Sequence, residues 1–219
     1  MVVTLWSIWH AQRKAIHEAI FQSPQATHGF IERYLQDLAI IQNIAQKQNI
    51  NGTVPRPVQA KPKKPPPRHH KIHVDAGVRV RRGGSEVAVC RDEGGNYIGS
   101  SALVVEGVYD PPTLEAIACR EALALAEDLG IHHFIVASDC RQVVLDINRR
   151  ARGAYGAVIN EINIKASTFS CNFSFESRAI NYEAHRLAKF ALSRGPCRHV
   201  WYGVPHDQVC IPLHVEFDE

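Results

Sequence analysis

The seven residues Lys71-Ile72-His73-Val74-Asp75-Ala76-Gly77 constrain the fold more than any other stretch of the chain. In an extended strand, Val74 and Ala76 point to one face of the sheet, and His73 and Asp75 point to the other. The segment therefore predicts a short strand that carries a carboxylate into an apolar setting. Such a carboxylate is costly to bury unless a cation, a polar partner or a ligand meets it, so we expect a specific contact at Asp75.

Two later acids lie in similarly apolar surroundings. Glu115 is part of Leu114-Glu115-Ala116-Ile117-Ala118, and Asp139 follows a run, residues 134–138, that is apolar enough for a strand buried on both faces. Taken alone, Asp139 could cap the helix that follows it, and Glu115 could compensate the dipole of its own helix. The hypothesis that accounts for all three acids together is that they converge on a divalent metal.

The bulk composition limits the alternatives. The chain has 219 residues, of which 45% are hydrophobic and 21% charged, as expected of one globular domain with an additional segment. A net charge of +3 permits a polyanionic partner without requiring one. Six scattered cysteines without a C-x-x-C pair predict free thiols in a reducing intracellular compartment, nuclear or cytoplasmic. No apolar run approaches the roughly 20 residues of a membrane span, and no signal peptide is expected.

The first 70 residues differ from the rest of the chain. Residues 1–50 carry apolar side chains at helical spacing, with a helix start signal at Ser23-Pro24, and they predict two amphipathic helices that form a structural hairpin or a partner-binding surface. Residues 51–70 are rich in proline and basic residues and predict an extended linker. We interpret this linker as a solvated spacer, as a basic tether that attracts phosphates, or as a localisation signal.

From residue 71 the pattern predicts an α/β domain that ends near residue 195, followed by an aperiodic tail of residues 196–219. Strong turn signals join three antiparallel strands, and the later alternation of helices and strands predicts parallel additions to the same sheet. We therefore expect a mixed five-stranded sheet flanked by helices. The predicted strands are 71–80, 85–91, 97–106, 134–137 and 171–175, and the predicted helices are 113–129, 140–150, 157–169 and 181–192.

This order of elements brings the three acids together. If the fourth strand lies beside the first, Asp75 and Asp139 meet where the strand order reverses, which is where open α/β sheets form their sites. Glu115 is expected in the first turn of the covering helix. Neighbouring carboxylates raise one another's pKa unless a cation is present, and oxygen ligands favour Mg²⁺ or Mn²⁺ over zinc. Two such ions about 4 Å apart can promote phosphodiester cleavage.

Residues 71–195 resemble the type 1 ribonuclease H domain, and most of all the ribonuclease-H-like proteins of plant retroelement origin. Five short segments in the family's order carry the resemblance: 72–77 (IHVDAG), 91–96 (RDEGGN), 114–118 (LEAIA), 137–144 (ASDCRQVV) and 181–189 (NYEAHRLAK). Residues 1–50 also resemble the tryptophan-containing helical region that precedes this domain in retroelement polyproteins. The resemblance implies a metal-dependent endonuclease that binds RNA–DNA hybrids and cleaves their RNA strand.

By this resemblance, Asp75, Glu115 and Asp139 match the family's first three metal-binding carboxylates. His185 occupies the position of the fourth acid. Because a neutral imidazole is a poorer ligand for hard cations than a carboxylate, we interpret His185 as a weak metal ligand, as a proton carrier near neutral pH, or as a helix residue without a role. The loop 175–180 lacks the family's frequent histidine, and Glu176 is its only carboxylate.

The family's basic insertion, which grips the hybrid, is expected to be missing, because the segment 149–157 is short. The favoured hypothesis is a hybrid-specific nuclease with Asp75, Glu115, Asp139 and His185 as its catalytic residues. It would recognise backbone shape and 2′-hydroxyls, with Arg79, Arg81 and Arg82 as phosphate contacts or as solvated turn charge. The alternatives are a nucleic-acid-binding remnant with weak or lost cleavage and a protein-interaction module built on residues 1–50. The sequence indicates no oligomeric state.

Overall fold

The computed structural model describes residues 23, 24, 27, 28, 31, 61–79 and 83–218. The chain divides into two compact units, Met1–Val58 and Gln59–Glu219. In the first unit, the described residues after Ser23 are helical, and the Thr27 N–H donates to the Ser23 carbonyl oxygen at 3.0 Å. This agrees with a helix that begins at the Ser23-Pro24 signal. The remainder of the predicted helices of residues 1–50, and the predicted linker up to residue 60, lie outside the described residues.

One six-stranded sheet flanked by helices forms the second unit. Its elements are β1 (His70–Arg79), β2 (Gly83–Arg91), β3 (Tyr97–Glu106), α1 (Pro111–Asp128), β4 (His133–Ser138), α2 (Arg141–Arg149), α3 (Gly156–Ala166), β5 (Ser170–Phe175), α4 (Tyr182–Ala191) and β6 (Arg198–Tyr202). The strands lie in the order β5-β4-β1-β2-β3-β6. β1, β2, β3 and β6 pair antiparallel, whereas β4 pairs parallel with both β1 and β5. The predicted α/β class and mixed sheet are confirmed.

The sheet has one strand more than the five predicted. Residues Arg198–Tyr202, which we had assigned to an aperiodic tail, form β6 on the outer edge of β3. The side chain of Arg198 donates to Glu121 and Asp128 of α1 at 2.8 and 2.6 Å. Because this short edge strand is stabilised by a helix that is distant in sequence, its local pattern gives little signal of it.

Each face of the sheet packs on its own hydrophobic core. The face beneath α1 includes Ile72 and Val74, and α1 approaches it closely through small residues that are fully buried: Ala118, Cys119, Ala122 and Ala126. On the opposite face, Leu187 of α4 packs with Val87 and Val89 of β2. Each fully buried Leu or Ile contributes about 1.5–3 kcal/mol to folding, so the two cores hold β1 firmly between α1 and α4.

The last part of the predicted linker belongs to this second unit. Pro62 and Pro65 are buried, the Lys64 N–H donates to the Asp218 carbonyl oxygen at 3.1 Å, and the Asp218 N–H donates to the Pro62 carbonyl oxygen at 2.9 Å. The interpretation as a solvated spacer is therefore wrong for this part of the linker. Proline-rich composition predicts an extended backbone, but it does not reveal whether the extended segment finds a partner.

The structure also bears on the cysteines and on whether any helix could span a membrane. All six cysteines lie in the described part of the chain, and all are free thiols, as the absence of paired spacing predicted. Across the described ranges, no helix is both long enough and apolar enough to cross a membrane.

Candidate metal centre

Three carboxylates from separate elements meet at one place on the sheet. Asp75 projects from β1, Glu115 from α1, and Asp139 follows directly after β4, and one oxygen of each lies within 4.8 Å of the other two. β1 and β4 are parallel neighbours with Val74 opposite Ser138, which sets Asp75 level with Asp139. In the ranges that the structure describes, this is the one group of three or more acidic, histidine or cysteine side chains with such spacing.

The position of Glu115 follows from where α1 begins. The helix begins at Pro111, two residues earlier than predicted, and its cap is Asp110, whose carboxylate accepts the Thr113 N–H at 3.0 Å. Glu115 therefore lies in the second turn of the helix, and the prediction of the first turn was wrong. Because the dipole effect is confined to the first turn, dipole compensation does not account for this acid.

Asp139 does not cap α2, although the sequence left that possibility open. The N-cap residue of α2 is Cys140, which makes no side-chain capping bond. The Cys140 N–H donates instead to the Ser138 hydroxyl at 3.0 Å. The carboxylate of Asp139 is therefore available to the cluster that it forms with Asp75 and Glu115.

The electrostatics of the cluster favour a bound cation. Burial raises the pKa of Glu115 to about 9, and the negative charges of Asp75 and Asp139 contribute to the rise. Burial and the charge of Asp75 also raise the pKa of Asp139, and the Arg178 guanidinium opposes this rise. One oxygen of Glu115 is buried and has no hydrogen-bond partner in the described part of the chain. The described residues place no Lys or Arg in an ion pair with any of the three carboxylates, so their repulsion is not relieved by such a pair.

This donor set fits a hard divalent cation. It consists of three carboxylates, it includes an unpartnered buried oxygen, and Asp75 is only 4% exposed. Oxygen ligands of this kind suit Mg²⁺ and Mn²⁺. Asp75, Glu115 and Asp139 are therefore the residues that could hold an ion here.

His185 of α4 contacts the cluster through Asp75. Its Nδ1 lies 2.8 Å from Oδ2 of Asp75, while Nη2 of Arg178 lies 3.2 Å from Nδ1 and 3.1 Å from Nε2. Because the guanidinium can only donate, these contacts fit a neutral ring that donates from Nδ1 to Asp75 and accepts at Nε2. His185 thus contacts a carboxylate of the cluster without belonging to the group of three. Sequence reasoning missed Arg178, because its contact with His185 depends on the path of the loop.

Comparison with known proteins agrees with this geometry. Residues 73–191, more than half of the chain, match the sequence profile of the family described as reverse transcriptase-like. The chain belongs to this family. A search of curated proteins finds no match to it.

Solved structures similar to the reverse transcriptase-like domain carry the RNase H fold. The N-terminal RNase H domain of a Mycobacterium tuberculosis protein, solved as a fusion with maltose binding protein, has a TM-score of 0.51 at 24% identity and covers 57% of this chain and 93% of its own. RNase H1 from Halobacterium salinarum NRC-1 has a TM-score of 0.50 at 17% identity, with coverage of 57% and 97%. LC11-RNase H1 in complex with an RNA/DNA hybrid has a TM-score of 0.50 at 19% identity, and the match covers 57% of this chain and 99% of that chain. The similarity establishes an RNase H-like fold.

Glu176, the acid of the loop that follows β5, lies apart from the three carboxylates and contacts two basic side chains of β1. Glu176 accepts a hydrogen bond from Nζ of Lys71, and its other carboxylate oxygen lies 3.0 Å from Nε2 of His73. Burial by itself would raise the pKa of Glu176, but His73 and Lys71 together hold it below the usual value. All three side chains are buried, so Glu176 makes a structural contact. This contact was not predictable from the sequence, because the partners are about 100 residues away.

Of the three arginines that we predicted as phosphate contacts, the structure describes one. Arg79 donates to the Leu192 carbonyl oxygen at 3.2 Å, and Arg81 and Arg82 lie outside the described residues. α2 ends at Arg149 and α3 begins at Gly156, so the connection is short, as the sequence indicated. This connection nevertheless exposes the side chains of Arg150 and Arg152.

Proposed function

We propose that the protein is a divalent-metal-dependent endonuclease that cleaves the RNA strand of RNA–DNA hybrids. The observation that carries the proposal is the convergence of Asp75, Glu115 and Asp139, with ligand oxygens within 4.8 Å of one another. The similarity to RNase H structures, one of them in complex with an RNA/DNA hybrid, supports the choice of substrate. We further propose that the domain derives from a retroelement, which the match to the reverse transcriptase-like family supports, and that its origin is in plants, as the resemblance of the sequence implies.

In this proposal, Asp75, Glu115 and Asp139 hold Mg²⁺ or Mn²⁺. When bound, such an ion lowers the pKa of a coordinated water and stabilises negative charge on the phosphate. The protein contributes a buried, preorganised set of oxygens, because α1 and the β1–β4 register fix the three carboxylates before any ion arrives.

His185 orients Asp75 in this account. Donation from Nδ1 to Oδ2 of Asp75 at 2.8 Å holds that carboxylate in one rotamer, and Arg178 supports the ring from its other side. The same hydrogen bond engages one lone pair of Asp75, and His185 adds no fourth carboxylate. We therefore expect weaker metal binding than four carboxylates would give.

Hybrid binding relies in this proposal on cationic side chains that contact phosphates. Arg79, Arg150 and Arg152 form no ion pair with a carboxylate in the described residues and are exposed, so they are available to a polyanion. Phosphate contacts of this kind position the protein on the backbone without reading sequence, and they weaken as the salt concentration rises. Separate contacts to 2′-hydroxyls would distinguish RNA from DNA.

Hydrolysis of an end-labelled RNA–DNA hybrid in Mg²⁺ tests the function. We expect cleavage of the RNA strand that EDTA abolishes and that Asp75→Asn lowers by at least about 100-fold, because the variant loses a charged ligand of a catalytic ion. Asp207→Asn is the matched control, since Asp207 is exposed and lies outside the cluster, and we expect it to cleave at the wild-type rate.

The second candidate function is a nucleic-acid-binding remnant, which the presence of His185 at the fourth position favours. It would bind the hybrid in a salt-dependent way without cleaving it in Mg²⁺ or Mn²⁺, and that result would contradict the nuclease proposal. Equal cleavage of double-stranded DNA would contradict the proposed hybrid specificity.

A further inference from the structure

Beside the candidate metal centre, the guanidinium of an arginine lies over an exposed aromatic ring. Phe175 is 40% exposed at the end of β5, and the guanidinium carbon of Arg141 lies 4.5 Å from the centroid of its ring. The strand register pairs Phe175 with Ser138, which directly precedes Asp139, and Arg141 follows Asp139 by two residues. The pair therefore lies next to the acidic cluster, at the same end of β4.

The core does not require this pair. Phe175 is absent from both hydrophobic clusters of the sheet, and β5 is an edge strand. Arg141 is exposed, and no carboxylate in the described residues forms an ion pair with it. This cation–π contact keeps a planar cation and an aromatic ring at the surface, and within the described residues the guanidinium N–H groups make no hydrogen bond.

The charge around the pair suits an anionic ligand. Arg178 follows Phe175 by three residues, and its guanidinium contacts the ring of His185 rather than a carboxylate. Two arginines without acidic partners in the described residues thus lie on the β5 side of the three carboxylates. A phosphate near the cluster would have cationic donors on this side.

An aromatic ring and a guanidinium plane together form a platform on which a nucleobase can stack. Inside a duplex, both faces of each base are covered by neighbouring bases, so a paired hybrid offers no free face to this platform. An unpaired nucleotide has free faces and also carries a phosphate for Arg141.

We propose that Phe175 and Arg141 bind an unpaired nucleotide of a strand that continues beyond the hybrid. The inference rests on the proposed function for the location of the hybrid, and it adds a substrate class: a junction between hybrid and single strand. The chemistry that recognises this nucleotide is base stacking plus one phosphate contact, so it selects no particular base.

Fluorescence anisotropy in EDTA, where no cleavage occurs, tests this inference with two labelled ligands. One is a blunt RNA–DNA hybrid, and the other is the same hybrid with a single-stranded extension of four nucleotides. We expect the wild-type protein to bind the extended hybrid about tenfold more tightly than the blunt one, and Phe175→Leu to abolish the difference, because an aliphatic side chain cannot stack on a base. Arg141→Gln is expected to reduce the difference.

Tyr202→Leu is the matched control. Tyr202 is a 58% exposed aromatic residue on β6, at the opposite edge of the sheet from β5, and its replacement should leave both affinities unchanged. Equal wild-type affinities for the two ligands, or an equal loss on both in Phe175→Leu, would overturn the inference and leave the proposed function intact. Failure to bind either ligand would overturn the inference as well, and the cleavage assay would then decide the proposed function separately.

Discussion

The side chains on one face of β1 take part in two kinds of buried carboxylate contact, and the difference between the two separates structure from function. At one position Lys71 and His73 bind Glu176, and the pKa of Glu176 is held below its usual value despite burial. A few residues further along, Asp75 meets Glu115 and Asp139, and burial and mutual repulsion raise the pKa of Glu115 to about 9. A buried acid that is paired with Lys71 and His73 is already compensated, whereas three acids that form no ion pair with a Lys or Arg of the described residues are compensated by a bound cation or by a proton.

Glu86 of β2 provides a third case. It is completely buried beneath α1, and neither of its carboxyl oxygens has a hydrogen-bond partner among the residues that the structure describes. Burial raises its pKa to about 8, and the charge of the neighbouring Glu121 adds to the rise, whereas Arg120 opposes it. Glu86 has neither a basic partner nor the two further acids of a metal centre, so at neutral pH it is compensated by a proton.

The largest loss in the free energy of unfolding is expected where an ion-paired buried acid loses its charge. Glu176→Gln leaves Lys71 buried without a counter-charge, and breaking a buried pair in this way costs about 3–5 kcal/mol. Urea unfolding measures this cost. In the control Glu216→Gln, which breaks the exposed ion pair between Glu216 and Lys61 at 2.6 Å, the loss should be much smaller, because solvent screens an exposed pair. Equal losses in the two variants would refute the distinction between the compensated acid and a surface pair.

Glu86 should make the free energy of unfolding depend on pH. Between the unfolded pKa of about 4.5 and the folded pKa of about 8, the folded state binds a proton that the unfolded state has lost. Its stabilising contribution is therefore complete below about pH 4.5 and declines as the pH rises to about 8.

Glu86→Gln removes this titration, so its free energy of unfolding should rise relative to wild type by roughly 1–3 kcal/mol between pH 5 and pH 8.5. The measurement is urea unfolding of both proteins in EDTA across this range. Both proteins share the titrations of the metal centre, so the difference between them isolates Glu86. A difference that does not change with pH would show that Glu86 is not protonated in the folded state.

A smaller effect, on the affinity for Mg²⁺, is expected from adding a fourth carboxylate to the cluster. His185→Asp replaces the imidazole with a hard oxygen donor, and we expect about tenfold tighter Mg²⁺ binding by calorimetric titration. His132→Asp makes the same chemical change at an exposed position next to the start of β4, and it should leave the affinity unchanged. If His185→Asp binds Mg²⁺ no more tightly than wild type, the fourth position does not face the ion.

The sequence predicted those parts of the site that depend on local context. Asp75, Glu115 and Asp139 were identifiable because each interrupts an apolar run, and the order of strands and helices placed those runs together. The contacts of Glu176 with Lys71 and of Arg178 with His185 were not predictable, because they depend on how a loop crosses the sheet. β6 was missed for a related reason, since Arg198 finds its acidic partners on a distant helix.

Thermal unfolding of the wild-type protein and of Glu115→Gln, each in EDTA and in Mg²⁺, tests most directly whether the three carboxylates form a cation site. In EDTA at neutral pH the variant should unfold at the higher temperature, because folding of the wild type requires Glu115 either to bear the repulsion of its neighbours or to take up a proton, and the amide requires neither. Mg²⁺ at about 100 times its dissociation constant should stabilise the wild type by about 2.7 kcal/mol and leave the variant nearly unchanged. Equal shifts of both proteins in Mg²⁺, or a shift of neither, would contradict the metal centre.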